Sequence, residues 1–122
     1  MRFAIFGDIH ANLHALQAVL EDTRDQGCTH SICMGDIVGY NAFPNECVAI
    51  VRALDCPTVK GNHDEQVSMD YTQEGLNPLA EKALNWTRGH LGESEKQWLR
   101  DLRFQRLVRD FTIVHATLDT PH

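Results

Sequence analysis

"TVKGNHDEQ", residues 58–66, is the stretch whose reading decides the fold. A short apolar run, Pro57-Thr58-Val59, breaks abruptly into Gly61-Asn62-His63-Asp64. Asn and Asp are ordinary turn residues, because their side chains bond nearby backbone and tolerate unusual dihedrals. Taken alone, the quartet reads either as a polar loop closing a buried strand or as a metal or catalytic site. What separates the two is whether similar groups end other apolar runs.

They do. Asp8 and His10 follow the run at 2–6, Asp36 follows the run at 29–34, and His115 follows the run at 111–114. Between the first two runs Leu13, Leu16, Val19 and Leu20 recur at helical spacing, and Gly27 supplies a stop. Pro44 opens a second helical stretch with Cys47, Val48, Ile50, Val51 and Leu54 on its apolar side. Strand, helix, strand, helix, strand (the last at 57–60) predicts βαβ units on a parallel sheet. Right-handed crossovers place both helices on one face. From Asp8 to Asp36 is 28 residues and from Asp36 to Asn62 is 26, about one βαβ unit each. Each unit returns the chain to the sheet edge where open α/β folds bind ligands. Asp8, His10, Asp36 and Asn62 are therefore expected to converge, and the third run ends in Asn-His-Asp because it completes a site begun by the other two.

The second half reads differently. Residues 65–76 look like a loop. Asn77-Pro78 suits a cap and first helical position for a helix to about Gly89. Ser94-Glu95-Lys96-Gln97 fits a capping box, with Trp98, Leu99 and Leu102 facing inward. Strands at 104–108 and 111–114 flank a tight turn at Arg109-Asp110. The expected class is α/β: a mixed sheet with a βαβαβ start and flanking helices, in one domain spanning 1–122.

Composition narrows the partners. The chain has 122 residues, 43% hydrophobic and 23% charged, as a globular domain does. A net charge of −6 argues against a nucleic-acid backbone or an anionic membrane as partner. A phosphate-bearing substrate stays open, because bound cations reverse the local sign. Cys28, Cys33, Cys47 and Cys56 form no C-x-x-C pair, no signal peptide is visible, and no run is long enough to span a bilayer. A reducing cytoplasm with free thiols is expected.

Carboxylate, imidazole and amide oxygen without thiolate suit manganese, iron or zinc better than copper or a sulfur cluster. Asp36, placed centrally, has two oxygens with which to bridge two ions, and such a pair can clamp a phosphoryl group and activate water. His63 is a candidate general acid for the leaving group, with Asp64 fixing its tautomer from behind. Gly7, Gly35 and Gly61 adjoin the clusters and permit tight turns.

"GDIHAN" at 7–12, "GDIVGY" at 35–40, "GNHD" at 61–64 and "VHAT" at 114–117 resemble the calcineurin-like metallophosphoesterases. "GYNAFPNEC" after the second motif looks most like the small bacterial and archaeal phosphodiesterase branch. The resemblance covers nearly the whole chain in four ordered motifs. It implies a fold that is half of a four-layer α/β/β/α sandwich. It implies two divalent ions, manganese first and iron, zinc or nickel after it. Asp8 and His10 would bind one ion, Asp36 would bridge, and Asn62 and His115 would bind the other. His63 would contact the phosphate and assist the leaving group, a metal-bound hydroxide would attack, and no phosphoenzyme would form. The implied substrate is a small phosphate ester. The family's later "GHTH"-like motif has no counterpart here, so an N-terminal half of a longer protein is expected, lacking one imidazole per metal and open to homo-oligomer formation.

Other residues carry plainer expectations. His14, His30 and His90 read as solvated, capping or helix-end groups, and His122 as terminal. Trp86 and Trp98 read as core, and Arg100, Arg103, Arg106 and Arg109 as a solvated face. Tyr40 and Asn41 are placed to line a substrate cleft. Two rival readings remain: a scaffold of the same fold that has lost catalysis, and a phosphomonoesterase or nucleotide-polyphosphate hydrolase on the same site.

Overall fold

In the computed structural model the apolar runs become strands and the periodic stretches become helices. Residues 1–69, 71, 72 and 74–117 are described here. In order they form β1 (Phe3–Phe6), α1 (Leu13–Asp25), β2 (His30–Cys33), α2 (Pro44–Leu54), α3 (Asn62–Ser68), α4 (Pro78–His90), α5 (Glu93–Asp101), β3 (Gln105–Val108) and β4 (Phe111–Val114). The fold is mixed α/β, as the sequence predicts.

β1 and β2 pair in parallel, Phe3 opposite His30 through Phe6 opposite Cys33. The third strand is shorter than expected. Thr58 and Val59 make only single bridges, to Cys33 and to Arg103. β3 and β4 pair antiparallel around Arg109, whose left-handed φ of 56° closes the turn.

Core packs on both faces of the β1–β2 pair, although Ile5 of β1 stays 60% exposed. On one, Leu16 of α1 and Cys47, Val48 and Val51 of α2 pack with Cys33, Val67, Leu84 and Leu99. That common cluster is what two right-handed crossovers onto one face produce. On the other face, Ile32 and Val59 pack with Val108 and Ile113 of the hairpin. Side chains alternate along a strand, so adjacent Ile32 and Cys33 serve opposite cores.

Helix ends follow the local chemistry. The Asn12 side chain accepts from the Ala15 amide at 3.1 Å, and that of Asn77 accepts from the Leu79 amide at 2.8 Å. The expected start at Ser94 is displaced: Gly92 caps α5, which begins at Glu93. Asn45 of α2 braces that junction, donating to the His90 carbonyl at 2.8 Å and accepting from the Gly92 amide at 2.9 Å.

The largest departure from the sequence reading is α3. Residues 65–68, read as the start of a loop, continue a helix opened by Asn62. (The loop expectation also covered Asp70 and Gln73, outside the described residues.) This helix of seven residues is too short to stand alone, so tertiary contacts hold it. Its last carbonyls would be orphaned, and two arginines satisfy them. Arg88 of α4 donates to the Gln66 carbonyl at 3.1 and 3.3 Å, and Arg100 of α5 donates to that of Ser68 at 2.8 and 3.1 Å. Arg100 is thus a helix clasp rather than part of a solvated face. Trp98 packs against the core as expected, but Trp86 is exposed and stacks on His90, with 4.0 Å between centroids.

Candidate metal centre

The site is assembled from the loops after β1, β2 and Thr58–Val59, together with His115 beyond β4. The first two loops run side by side past the ends of their strands. The amides of Asp8, His10 and Ala11 donate to the carbonyls of Gly35, Asp36 and Ile37 at 2.8–2.9 Å. Keeping this register forces the backbone into the left-handed region at Asp8, His10, Ala11, Asp36 and Tyr40, with φ between 49° and 69°. Each such non-glycine residue costs on the order of 1–2 kcal/mol. Strain of this kind persists where surrounding contacts over-determine it, and it clusters at functional sites.

Asp64 is the main such contact. Its carboxylate is fully buried and accepts four backbone amides: Asp36 and Ile37 at 2.8 and 2.9 Å, Val38 at 3.2 Å and Gly61 at 3.0 Å. It ties the second loop to the third. The expected contact to the His63 ring is not made, because all of its donors are main-chain. Burial, with the Asp36 charge beside it, pushes the Asp64 carboxyl up to about 7 against the pull of those amides.

Asp36 is the focus of the cluster. His63 engages both of its oxygens, the backbone amide donating to Oδ1 at 3.0 Å and Nδ1 lying 3.1 Å from Oδ2. Nε2 of His115 lies 3.3 Å from the same Oδ2 and Nε2 of His10 lies 3.7 Å from it. Asp8 Oδ1 faces both of those nitrogens at 3.9 Å. Burial pushes the Asp36 carboxyl up, but the His63 hydrogen bond and the nearby His115 outweigh it and hold the group below the usual carboxylate value. The orienting role expected of Asp64 on His63 therefore falls to Asp36.

The tautomers follow from the backbone. Nδ1 of His115 donates to the Met34 carbonyl at 2.8 Å, and Nδ1 of His10 donates to that of Val38 at 3.2 Å. A carbonyl only accepts, so each Nδ1 carries a proton and each Nε2 faces the carboxylates, where it can donate to them or, once deprotonated, ligate a cation. Each Nε2 lies within 4 Å of both carboxylates, and with neutral rings such a grouping of electron-rich atoms is relieved by a cation among them. His63 adds an observation of its own: Nε2 is buried without a hydrogen-bond partner. An orphaned buried nitrogen beside such a cluster fits a divalent-ion centre. Two overlapping ligand groups are present, His10–Asp36–His63 and Asp8–Asp36–His115, and they share Asp36.

Of the residues singled out from sequence, Asp8, His10, Asp36, His63 and His115 come together. Asn62 opens α3 one residue before His63, but among the described residues no hydrogen bond joins its amide to the cluster. His14 sits exposed on α1 with its ring edge-on to Phe43, and His30 and His90 are exposed as expected. His122 lies outside the described residues. The carbonyls of Met34 and Val38, which set two tautomers, were not singled out from sequence, since every residue carries one.

A family model for calcineurin-like phosphoesterases matches residues 1–121. The chain belongs to the calcineurin-like phosphoesterase family. Among its relatives is an uncharacterized protein of Methanocaldococcus jannaschii, 41% identical over 99 residues, which are 81% of this chain and 41% of that protein. A metallophosphoesterase structure from Sphaerobacter thermophilus superposes with a TM-score of 0.84 at 38% identity, covering 99% of this chain and 49% of that one. A hypothetical protein from Pyrococcus horikoshii, 21% identical with a TM-score of 0.73 over 87% of this chain and 49% of that one, shares the fold. The chain thus spans about half the length of these relatives. In this calcineurin-like half, motifs at three sheet-edge loops and His115 surround one carboxylate. Among the described residues, no helix is long and apolar enough to cross a membrane.

Proposed function

We propose that this chain carries the metal-holding half of a phosphodiesterase that uses two divalent ions, manganese foremost. The observation that carries the reading is the shared Asp36, the one carboxylate common to both ligand groups. As in the family resemblance, Asp8 and His10 would hold one ion and His115 and Asn62 the other; Asp8 Oδ1 lies 3.9 Å from both His10 and His115, within reach of either position. When bound, the ions supply a Lewis-acid clamp on the phosphoryl oxygens and an activated water. Asp36 holds His63 through Nδ1, and in its doubly protonated form the ring would have an Nε2 proton to give to the departing alkoxide. Asp64 fixes the backbone on which Asp36 and His63 stand, acting through position rather than contact. The substrate is a small phosphate ester. The left-handed backbone at Asp8, His10 and Asp36 favours catalysis over a scaffold role, because a scaffold has no use for that strain.

Hydrolysis of bis-p-nitrophenyl phosphate with added manganese tests the reading, with Asp36→Asn alongside and calorimetric titration of manganese on both. Manganese binding and turnover in the parent, with both lost in the mutant, is the expected outcome. Turnover that survives the mutation intact, or a parent that binds no manganese, overturns it.

A further inference from the structure

Beside the metal centre lies a feature the phosphodiesterase reading leaves unused. Tyr40, Asn41, Ala42 and Trp86 line an open depression of about 290 Å³. That is near the lower limit of ligand pockets and suits one ring system better than a whole nucleotide. Tyr40 is half exposed, and its ring lies 4.8 Å from those of both His10 and His63. Tyr40 thus stands between the depression and the candidate centre, with its ring in contact with both.

Both aromatic groups are held in place. Tyr40 keeps a left-handed φ of 69° although it is not glycine, and Gly39 before it leaves room for the His63 ring, since a Cβ there would come within 3.3 Å of it. The Asn41 side chain donates to the His10 carbonyl at 2.9 Å and anchors the segment to the first loop. Trp86 is 41% exposed, and the His90 imidazole stacked behind it leaves its other face outward. Asn45, bonded to the His90 carbonyl, ties that helix end to α2. Two exposed aromatic rings lining one depression beside the candidate metal centre offer a surface on which a planar group can stack.

We propose that Tyr40 and Trp86 form the subsite for a planar aromatic ring on one alcohol of the phosphoester substrate. This rests on the phosphodiesterase reading, since the phosphate must sit at the metal centre for the ring to reach the depression. The shared chemistry is a flat π-system, either a nucleobase or a simple aryl group.

Trp98→Phe leaves Trp86 as the sole tryptophan reporter. This variant is titrated with adenosine 5′-monophosphate, phenyl phosphate and ribose 5-phosphate in the presence of manganese, and manganese binding is measured separately by calorimetry. The ring-bearing ligands are expected to quench Trp86 and to bind roughly five- to a hundredfold more tightly than ribose 5-phosphate, as stacking on one aromatic platform allows. In the intact protein, Trp86→Leu and Tyr40→Ala should remove that preference, and Trp86→Leu should leave manganese binding unchanged. Quenching by both ring ligands supports an aryl subsite, and quenching by the adenosine ligand alone supports a nucleobase subsite. Equal affinity for all three ligands without quenching, in protein that binds manganese, overturns the subsite and spares the metal centre. Failure to bind manganese overturns the metal reading and, with it, the subsite that rests on it.

Discussion

Nδ1 of His63 lies 3.1 Å from Oδ2 of Asp36 while the amide of the same histidine holds Oδ1 at 3.0 Å. One residue therefore aims both oxygens of a carboxylate that is 3% exposed, and its own ring is aimed in return. Metal affinity and imidazole orientation become a single property of this pair.

Asp36→Asn should accordingly do more than delete one charge. An amide nitrogen turned toward His10 and His115 replaces the oxygen an ion would need, and turned toward His63 it cannot accept from Nδ1. Manganese affinity should fall by more than the ten- to hundredfold typical of losing a residue that only orients a ligand. Calorimetric titration of both proteins checks this, and a drop of less than about threefold would contradict the geometry.

The close approach of the second and third loops predicts an asymmetry between two glycines. A Cβ at Gly61 would overlap the Asp36 amide nitrogen, which Asp64 holds, and Asp36 Oδ1, which the His63 amide holds, so neither can retreat without losing a hydrogen bond. Gly61→Ala should destabilise by about 1–3 kcal/mol or more. A Cβ at Gly89, inside α4, meets nothing within 4 Å, so Gly89→Ala should stabilise by roughly 0.5–1 kcal/mol. Thermal melts of the two variants should move in opposite directions.

Asp64 gives a pH signature in metal-free protein. Its carboxyl is pushed up to about 7 by burial and by Asp36, while an unfolded chain releases that proton near about pH 4. Between those values the folded state binds more protons than the unfolded one. The contribution of this group to stability is present at low pH, declines as pH rises to about 7, and is flat beyond. Asp64→Asn removes the titration and turns an NH₂ toward amide donors, at a cost of about 1–3 kcal/mol. Urea midpoints from about pH 5 to about pH 8 should fall more steeply in the parent than in the variant. Parallel curves would show that Asp64 stays ionised throughout.

The thiols should separate into two classes. Burial pushes Cys33 up to about 12 and Cys47 to about 11, and neither has exposed surface. Cys28 is only partly covered. Iodoacetamide at about pH 8 should label Cys28 well before Cys33 or Cys47, which should react only on unfolding. Peptide mapping of a labelling time course would expose any error in the packing around β2.

Much of this was readable from sequence because the two periodicities are strong where the core is strong. Leu16, Cys47, Val48 and Val51 recur at helical spacing because they face one sheet, and Asp8, Asp36 and Asn62 recur at the length of a crossover. α3 was missed for a physical reason: its residues answer to tertiary partners. His63 and Asp64 look like turn residues, and they are helical because Asp36 and the loop amides hold their side chains from outside. Arg88 and Arg100, which close the far end of that helix, lie 20 and more residues away and carry no local signal. Trp86 reads as core from sequence but is exposed, because a ring at helical spacing looks the same whether it packs inward or stacks on His90. The third strand was overread because Thr58 and Val59 are bridged on both sides without a full ladder.

The clasp at Asp64 also bears on kinetics. In most proteins, loops around a binding site open and close far more often than the core does. Here the amides of Asp36, Ile37, Val38 and Gly61 end on one buried oxygen pair, and those of His10 and Ala11 are tied to the neighbouring loop. None can exchange with solvent until that whole assembly lets go. The slowest amide hydrogens of this chain should therefore include those of its loops, so the cluster stands on a rigid floor with Asp8, 70% exposed, at its solvent side.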